Sequence, residues 1–143
     1  DIVDDSKKQQ EYQGLKDQKY SLSQRIDNLI KEKESILEKK RRLEAVYKAI
    51  DELKDQAKDA KKTDKKVNNK REWKGQNYNK FDHSREEMVT KDKNYIDIID
   101  DIMDDINIEI AKLENEFNGQ STLIGKLSGQ LNILNTKIQN FFN

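Results

Sequence analysis

Counting in sevens from Leu15 gives Leu15, Leu22, Leu29, Ile36, Leu43, Ile50 and Ala57, an unbroken apolar row at one heptad position. The companion row, Tyr12, Lys19, Ile26, Lys33, Lys40, Tyr47 and Lys54, is mixed, so the first half of the chain predicts a helix with one strong ridge and one weak one. Further along, steps of three and four from Ile96 pass through Ile99, Met103, Ile106, Ile110, Leu113, Phe117, Gln120, Ile124, Leu127, Leu131, Leu134, Ile138 and Phe141, interrupted only at Gln120. A repeat nearer 3.5 than 3.6 residues favours a left-handed supercoil. Between the two patterns, residues 58 to 72 (KDAKKTDKKVNNKRE) offer only Ala60 and Val67 as apolar groups. The pattern predicts one helical domain over 1–143: helix one over about 6–60, a polar linker with a turn over about 61–78, and helix two over about 79–141. The expected class is all-α, a long antiparallel two-helix hairpin, coiled-coil-like, that completes a helical bundle with a partner. Asn118-Gly119 followed by Ser121 has the makings of a C-cap and a fresh N-cap. The heptad phase runs through it without a stutter, which predicts one continuous helix rather than a short third helix folded back on the hairpin.

Composition narrows the chemistry. The chain has 143 residues, 39% charged and 33% hydrophobic, with no cysteine and no proline, too polar for a thick core. Without cysteine there are no disulfides, thiolate sites or cysteine nucleophiles. His83 is the only histidine, and it stands in a polar stretch. Imidazole metal clusters and Ser-His-Asp hydrolysis are therefore not expected, and no cofactor, metal or catalytic residue is assigned. Asp97, Asp100, Asp101, Asp104 and Asp105 lack the glycine turn and ligand order of an EF-hand loop and are expected to form a solvated acidic face. No apolar run approaches the roughly 18 residues of a membrane span, so no stable membrane insertion is expected. The sequence opens at Asp1 without methionine or a signal-peptide pattern, an expectation of a lost tag or short leader.

Residues 1 to 71 carry 20 basic and 15 acidic groups, and residues 72 to 143 carry 8 and 13. With a turn near residue 70, positions whose numbers total about 140 face each other. Lys39, Lys40, Arg41 and Arg42 then lie beside Asp97, Asp100, Asp101, Asp104 and Asp105. In that register the end of helix two finds few apolar residues opposite, chiefly Tyr12, Leu15, Tyr20 and Leu22. From Gln120 to Asn143 only Lys126 and Lys137 are charged, and Tyr95, Ile102 and Leu123 widen the apolar stripe. Phe117, Ile124, Leu127, Leu131, Leu134, Ile138 and Phe141 are accordingly the expected partner interface, covered by a helix of another protein or of a second copy. Ser121, Gly125 and Gly129 recur at four-residue spacing beside it, and small residues admit a close backbone.

One short motif carries a family likeness. Trp73-Lys74-Gly75, followed by Tyr78 and Phe81, stands just after the polar break, where a tryptophan can cap the end of a two-helix core and glycine can accept a tight turn. With long helices on either side, this resembles the WxG helical-hairpin proteins of bacterial type VII secretion, and in particular the YwqH-like family associated with LXG toxins. The resemblance implies a helical bundle formed with the N-terminal helices of an LXG effector, with Trp73, Gly75 and Phe81 at its turn end. It also implies a role as a targeting factor or chaperone. The family's YxxxD/E export signal usually follows the second helix, whereas the matches here are Tyr47 to Asp51 and Tyr78 to Asp82. This departure points to a cytoplasmic role or to export together with a partner.

Two other classes compete. A structural coiled-coil protein, such as a homodimeric spacer, would use the same heptads. Nucleic-acid binding through the lysines of 58–71, with Trp73 and Tyr78 stacking on bases, is weaker, because the acidic helix alongside repels phosphates.

Overall fold

The computed structural model describes residues 2–66 and 76–143, and the side chains within them except at 66, 76–79 and 81. Two helices account for nearly all of it, α1 (Ile2–Lys66) and α2 (Gln76–Asn140), and they pack against each other as a helical hairpin. No strand occurs among the described residues. Trp73 and Gly75 of the expected turn motif lie outside the described residues, and Phe81 lies within α2 with its side chain outside them.

Helix one was expected to stop where its apolar residues thin out, yet α1 continues through the lysine-rich stretch to Lys66. Lysine and alanine are good helix formers, so propensity sustains the helix where hydrophobic patterning fades. Thr63 helps by returning its hydroxyl to the Asp59 carbonyl at 3.0 Å. At the start of α2, Arg85 reaches Asp82 at 2.5 Å and His83 Nε2 lies 3.1 Å from Glu87, both one turn apart. Helix two is continuous through Asn118-Gly119, as the unbroken heptad phase predicts. The Ser121 and Thr122 hydroxyls donate to the carbonyls of Phe117 and Asn118, each at 3.0 Å, so these side chains bond back along the helix instead of capping a new one.

The chain divides into two compact units, one of residues 1–40 with 112–143, the other of residues 41–111. In the first, Ile26 and Ile36 from α1 and Leu113, Leu127 and Leu134 from α2 are buried. Tyr12, Phe141 and Phe142 close its end as a ring cluster, with centroids 4.9 to 5.6 Å apart. Lys33 sets its ammonium 4.7 Å from the centre of the Phe117 ring, which lets a lysine occupy a seam position. Gln120, the one break in the second apolar row, donates from Nε2 to Glu32 across the hairpin at 3.3 Å. In the second unit the buried side chains are Ile99 and Met103. No described side chain is completely enclosed, the expected limit of a core that two helices alone can build.

The register corrects the charge pairing expected from sequence. Lys40 pairs with Glu114 at 3.1 Å, and Lys54, not the 39–42 cluster, pairs with Asp100. Residue numbers total 154 in both pairs, two heptads beyond the expected register. The hydrophobic seams supply the reason. At a total of 140 the end of α2 would overhang the start of α1 with Leu134, Ile138 and Phe141 uncovered. Two heptads further on, Leu134 is buried and Phe141 stacks on Tyr12. Apolar burial, at about 25 cal/mol per Å², outweighs exposed ion pairs of about 0 to 1 kcal/mol.

Candidate partner-binding surface

The heptads order the described side chains around the two helices. Taking the row of Leu15 and Leu22 as d in α1 and the row of Ile99 and Leu113 as d in α2, the a and d rows form the seam. In an antiparallel pair the g positions of both helices then flank one side and the e positions the other. The grooves of the molecule sort accordingly. One is lined by Gln18, Ser21, Arg25, Gln130, Ile133 and Lys137 from c and g positions, and one by Lys16, Tyr20 and Ser23 from b and e positions beside Tyr12 and Ile138.

The interface residues expected from sequence belong to the seam of the first unit. Leu127 and Leu134 are buried within the hairpin, at 5% and 9% exposure, and Phe117, Ile124, Leu131, Ile138 and Phe141 are half-buried. The large apolar side chains this unit leaves exposed are others: Ile2, Val3, Tyr20, Ile30, Ile133 and Phe142. Gly125 and Gly129 are open, with nothing near the place a β-carbon would occupy.

The second unit gathers most of its exposed apolar side chains on one side. Val46 and Leu53 occupy g positions of α1, Met88, Tyr95 and Ile102 occupy g positions of α2, and Ile98 stands at the adjoining c position. Each is 43 to 56% exposed. All six therefore share one side of the hairpin. Sequence reasoning found Tyr95 and Ile102 but missed Val46, Leu53, Met88 and Ile98. Their signal was a second apolar row one residue ahead of the seam, legible only once both helices are phased together. The e side of the same unit is polar, with Glu44, Asp51, Lys58, Lys93 and Asp100.

The titratable groups are arranged for structure. The hydrogen bond to Asp100 holds the Lys54 ammonium above its usual value. Near the end of α1, Asp92 meets Asp64 across the seam, with Lys61 beside them. The Asp92 carboxyl is held above the usual carboxylate range, first by its hydrogen bond with Asp64 and then by burial, and its Oδ2 is shut off from solvent without a partner. An acid whose value is raised by folding contributes stability that is complete below the ordinary carboxylate range. That contribution is lost as pH rises through the raised value. Asp92→Asn keeps the hydrogen-bonding shape without the charge, so it should raise the urea midpoint more at pH 7 than at pH 4. An equal gain at both would rule out the shared proton.

Among the described residues no group of three or more His, Asp or Glu side chains is arranged to hold a metal ion. No described helix is long and apolar enough to cross a membrane. No family model, curated protein or solved structure matches the chain.

Proposed function

We propose that this chain is a non-catalytic helical assembly protein that completes a bundle with the helices of another protein, as a targeting factor or chaperone for an LXG-type effector of type VII secretion. The observation that supports the reading is the apolar surface left outside the seam on both sides of the first unit, with Ile133 60% exposed on the g side and Tyr20 and Phe142 68% and 57% exposed on the other. Covering each of these is worth on the order of 1 kcal/mol, which favours a partner helix over water. The surrounding segment from Gln120 to Asn143 carries only two charges, so a neighbouring helix docks there with little desolvation cost.

The test is co-expression with the helical N-terminal region of an LXG-type protein encoded beside this chain. The wild type should co-purify with it, and Ile133→Lys combined with Tyr20→Lys should abolish that while leaving the helical circular dichroism unchanged. Leu127 and Leu134 are unsuitable for this purpose, since both sit inside the hairpin. Failure of the wild type to co-purify, or binding unchanged in the double variant, would remove the reading.

A further inference from the structure

We infer that the g side of the first unit is a docking groove for an acidic amphipathic helix, one that carries carboxylates three turns apart with an apolar residue between them. The inference rests on the partner-binding reading above and adds the chemistry of the partner at one groove. An open groove of about 660 Å³ is lined by Leu22, Ile133 and Leu134, with Arg25 and Lys137 beside them. Leu134 belongs to the seam, whereas Ile133 is 60% exposed. Apolar lining flanked by polar positions is what the apolar face of an amphipathic helix covers.

Charge at the individual positions names the occupant. Along α1 residues 14–28 and α2 residues 126–140, the c and g positions hold Arg25, Lys126 and Lys137 and no acid. Apart from Ile133, the other residues at these positions are glycine, serine, asparagine or glutamine. Lys126 and Lys137 are the only charges between Gln120 and Asn143, so α2 turns every charge of that segment to this side. Among the described residues none of the three cations has an ion-pair partner. Asp17, at the adjoining f position, is the one acid that lines the groove, and its carboxylate already accepts from Gln13 Nε2 at 3.0 Å. The b and e positions of the same stretch are balanced, Lys16 against Asp27. Unpaired cations around an apolar strip attract a helix of opposite charge and repel a second copy, whose own groove is equally cationic. A nucleic-acid strand fits less well, because no aromatic ring lines the groove to stack on bases and phosphates gain nothing from its leucines. Lys126 and Lys137 stand eleven residues apart, three turns or about 16 Å, with Ile133 between them. Carboxylates at i and i+11 of the docked helix, sharing a face with an apolar residue, match all three.

Two synthetic helices test this on the full chain. Both are about 21 residues long and carry the same apolar stripe, but one has Glu at the two positions eleven apart and the other has Lys. Fluorescence anisotropy at low salt should show the Glu helix bound on the order of tenfold more tightly than the Lys helix, a difference that shrinks as salt rises. The triple variant Arg25→Glu, Lys126→Glu and Lys137→Glu should reverse the preference. Lys126→Gln with Lys137→Gln, which adds no new charge, should erase most of it, and Lys16→Glu on the e side should leave it in place. All of these positions are exposed, so the variants should retain wild-type helicity, which circular dichroism checks. Equal binding of the two helices, or a preference that survives the triple reversal, would overturn the inference, as would displacement of the Glu helix by an equimolar single-stranded oligonucleotide. The two readings fail separately. Capture of effector helices by a chain indifferent to peptide charge would keep the assembly role and remove the acidic occupant, whereas the stated preference without effector capture would keep the groove and remove the effector.

Discussion

Leu127→Ala should lower the stability of the first unit by about 2 to 3 kcal/mol, the lower part of the range for deleting a buried leucine side chain. Leu127 is 5% exposed and stands level with Ile26, itself 8% exposed, so the change removes apolar contact from both helices at one layer. The lower part of the range applies because two helices never enclose a residue completely, and neighbouring rows can close over part of the space. The comparison variant is Ile133→Ala, six residues on and 60% exposed, which should change stability by no more than about 0.5 kcal/mol. Urea unfolding followed by circular dichroism measures both. A Leu127→Ala chain indistinguishable from wild type would mean that the α2 seam does not hold this unit together, and the assignment of Ile133 and Phe142 as the free surface would fall with it.

The same seam explains what the sequence made legible. Helical class, two long elements and the continuity of α2 follow from apolar spacing, which is a local property and survives without knowledge of the partner strand. Register does not follow from it. Slipping one helix past the other by two heptads returns every a and d residue to an equivalent position, so totals of 140 and 154 satisfy the periodicity equally well. What separates them is where each apolar row ends, and Tyr12 against Phe141 and Phe142 marks that end in the structure. Charge complementarity between the two halves of the chain was real but too coarse to decide, because basic and acidic residues are spread over several heptads of each helix. The expectation that Leu127 and Leu134 stand uncovered has the same root. In the shorter register Leu127 and Leu134 look uncovered, and in the true one they are core, while Ile133, at a position that faces away from the seam, and Phe142, at the outer edge of the Tyr12 ring cluster, are exposed. The six-residue face of the second unit needed one step more, since g positions of two helices converge on one side only when the pair is known to be antiparallel.

The glycines of α2 provide the second large effect, in the opposite direction. Gly119, Gly125 and Gly129 lie in the interior of a continuous helix, and nothing stands within 4 Å of where a β-carbon would be at any of them. Each Gly→Ala change should therefore recover most of the glycine penalty, about 0.5 to 1 kcal/mol. The positions are separated along the helix and share no neighbour within that distance, so the triple variant should gain about 1.5 to 3 kcal/mol. Urea midpoints of the isolated chain test this, and a triple variant less stable than wild type would show that the glycines serve the hairpin itself. If the gain appears, the hairpin tolerates methyl groups it was not given, and the reason for three glycines within eleven residues must lie outside it. Close approach of a partner backbone is such a reason, and it makes a further demand: the stabilised triple variant should bind the effector helices more weakly than wild type. Undiminished binding would reduce the glycines to tolerated residues near a helix end and leave Tyr20, Ile133 and Phe142 to define the contact alone.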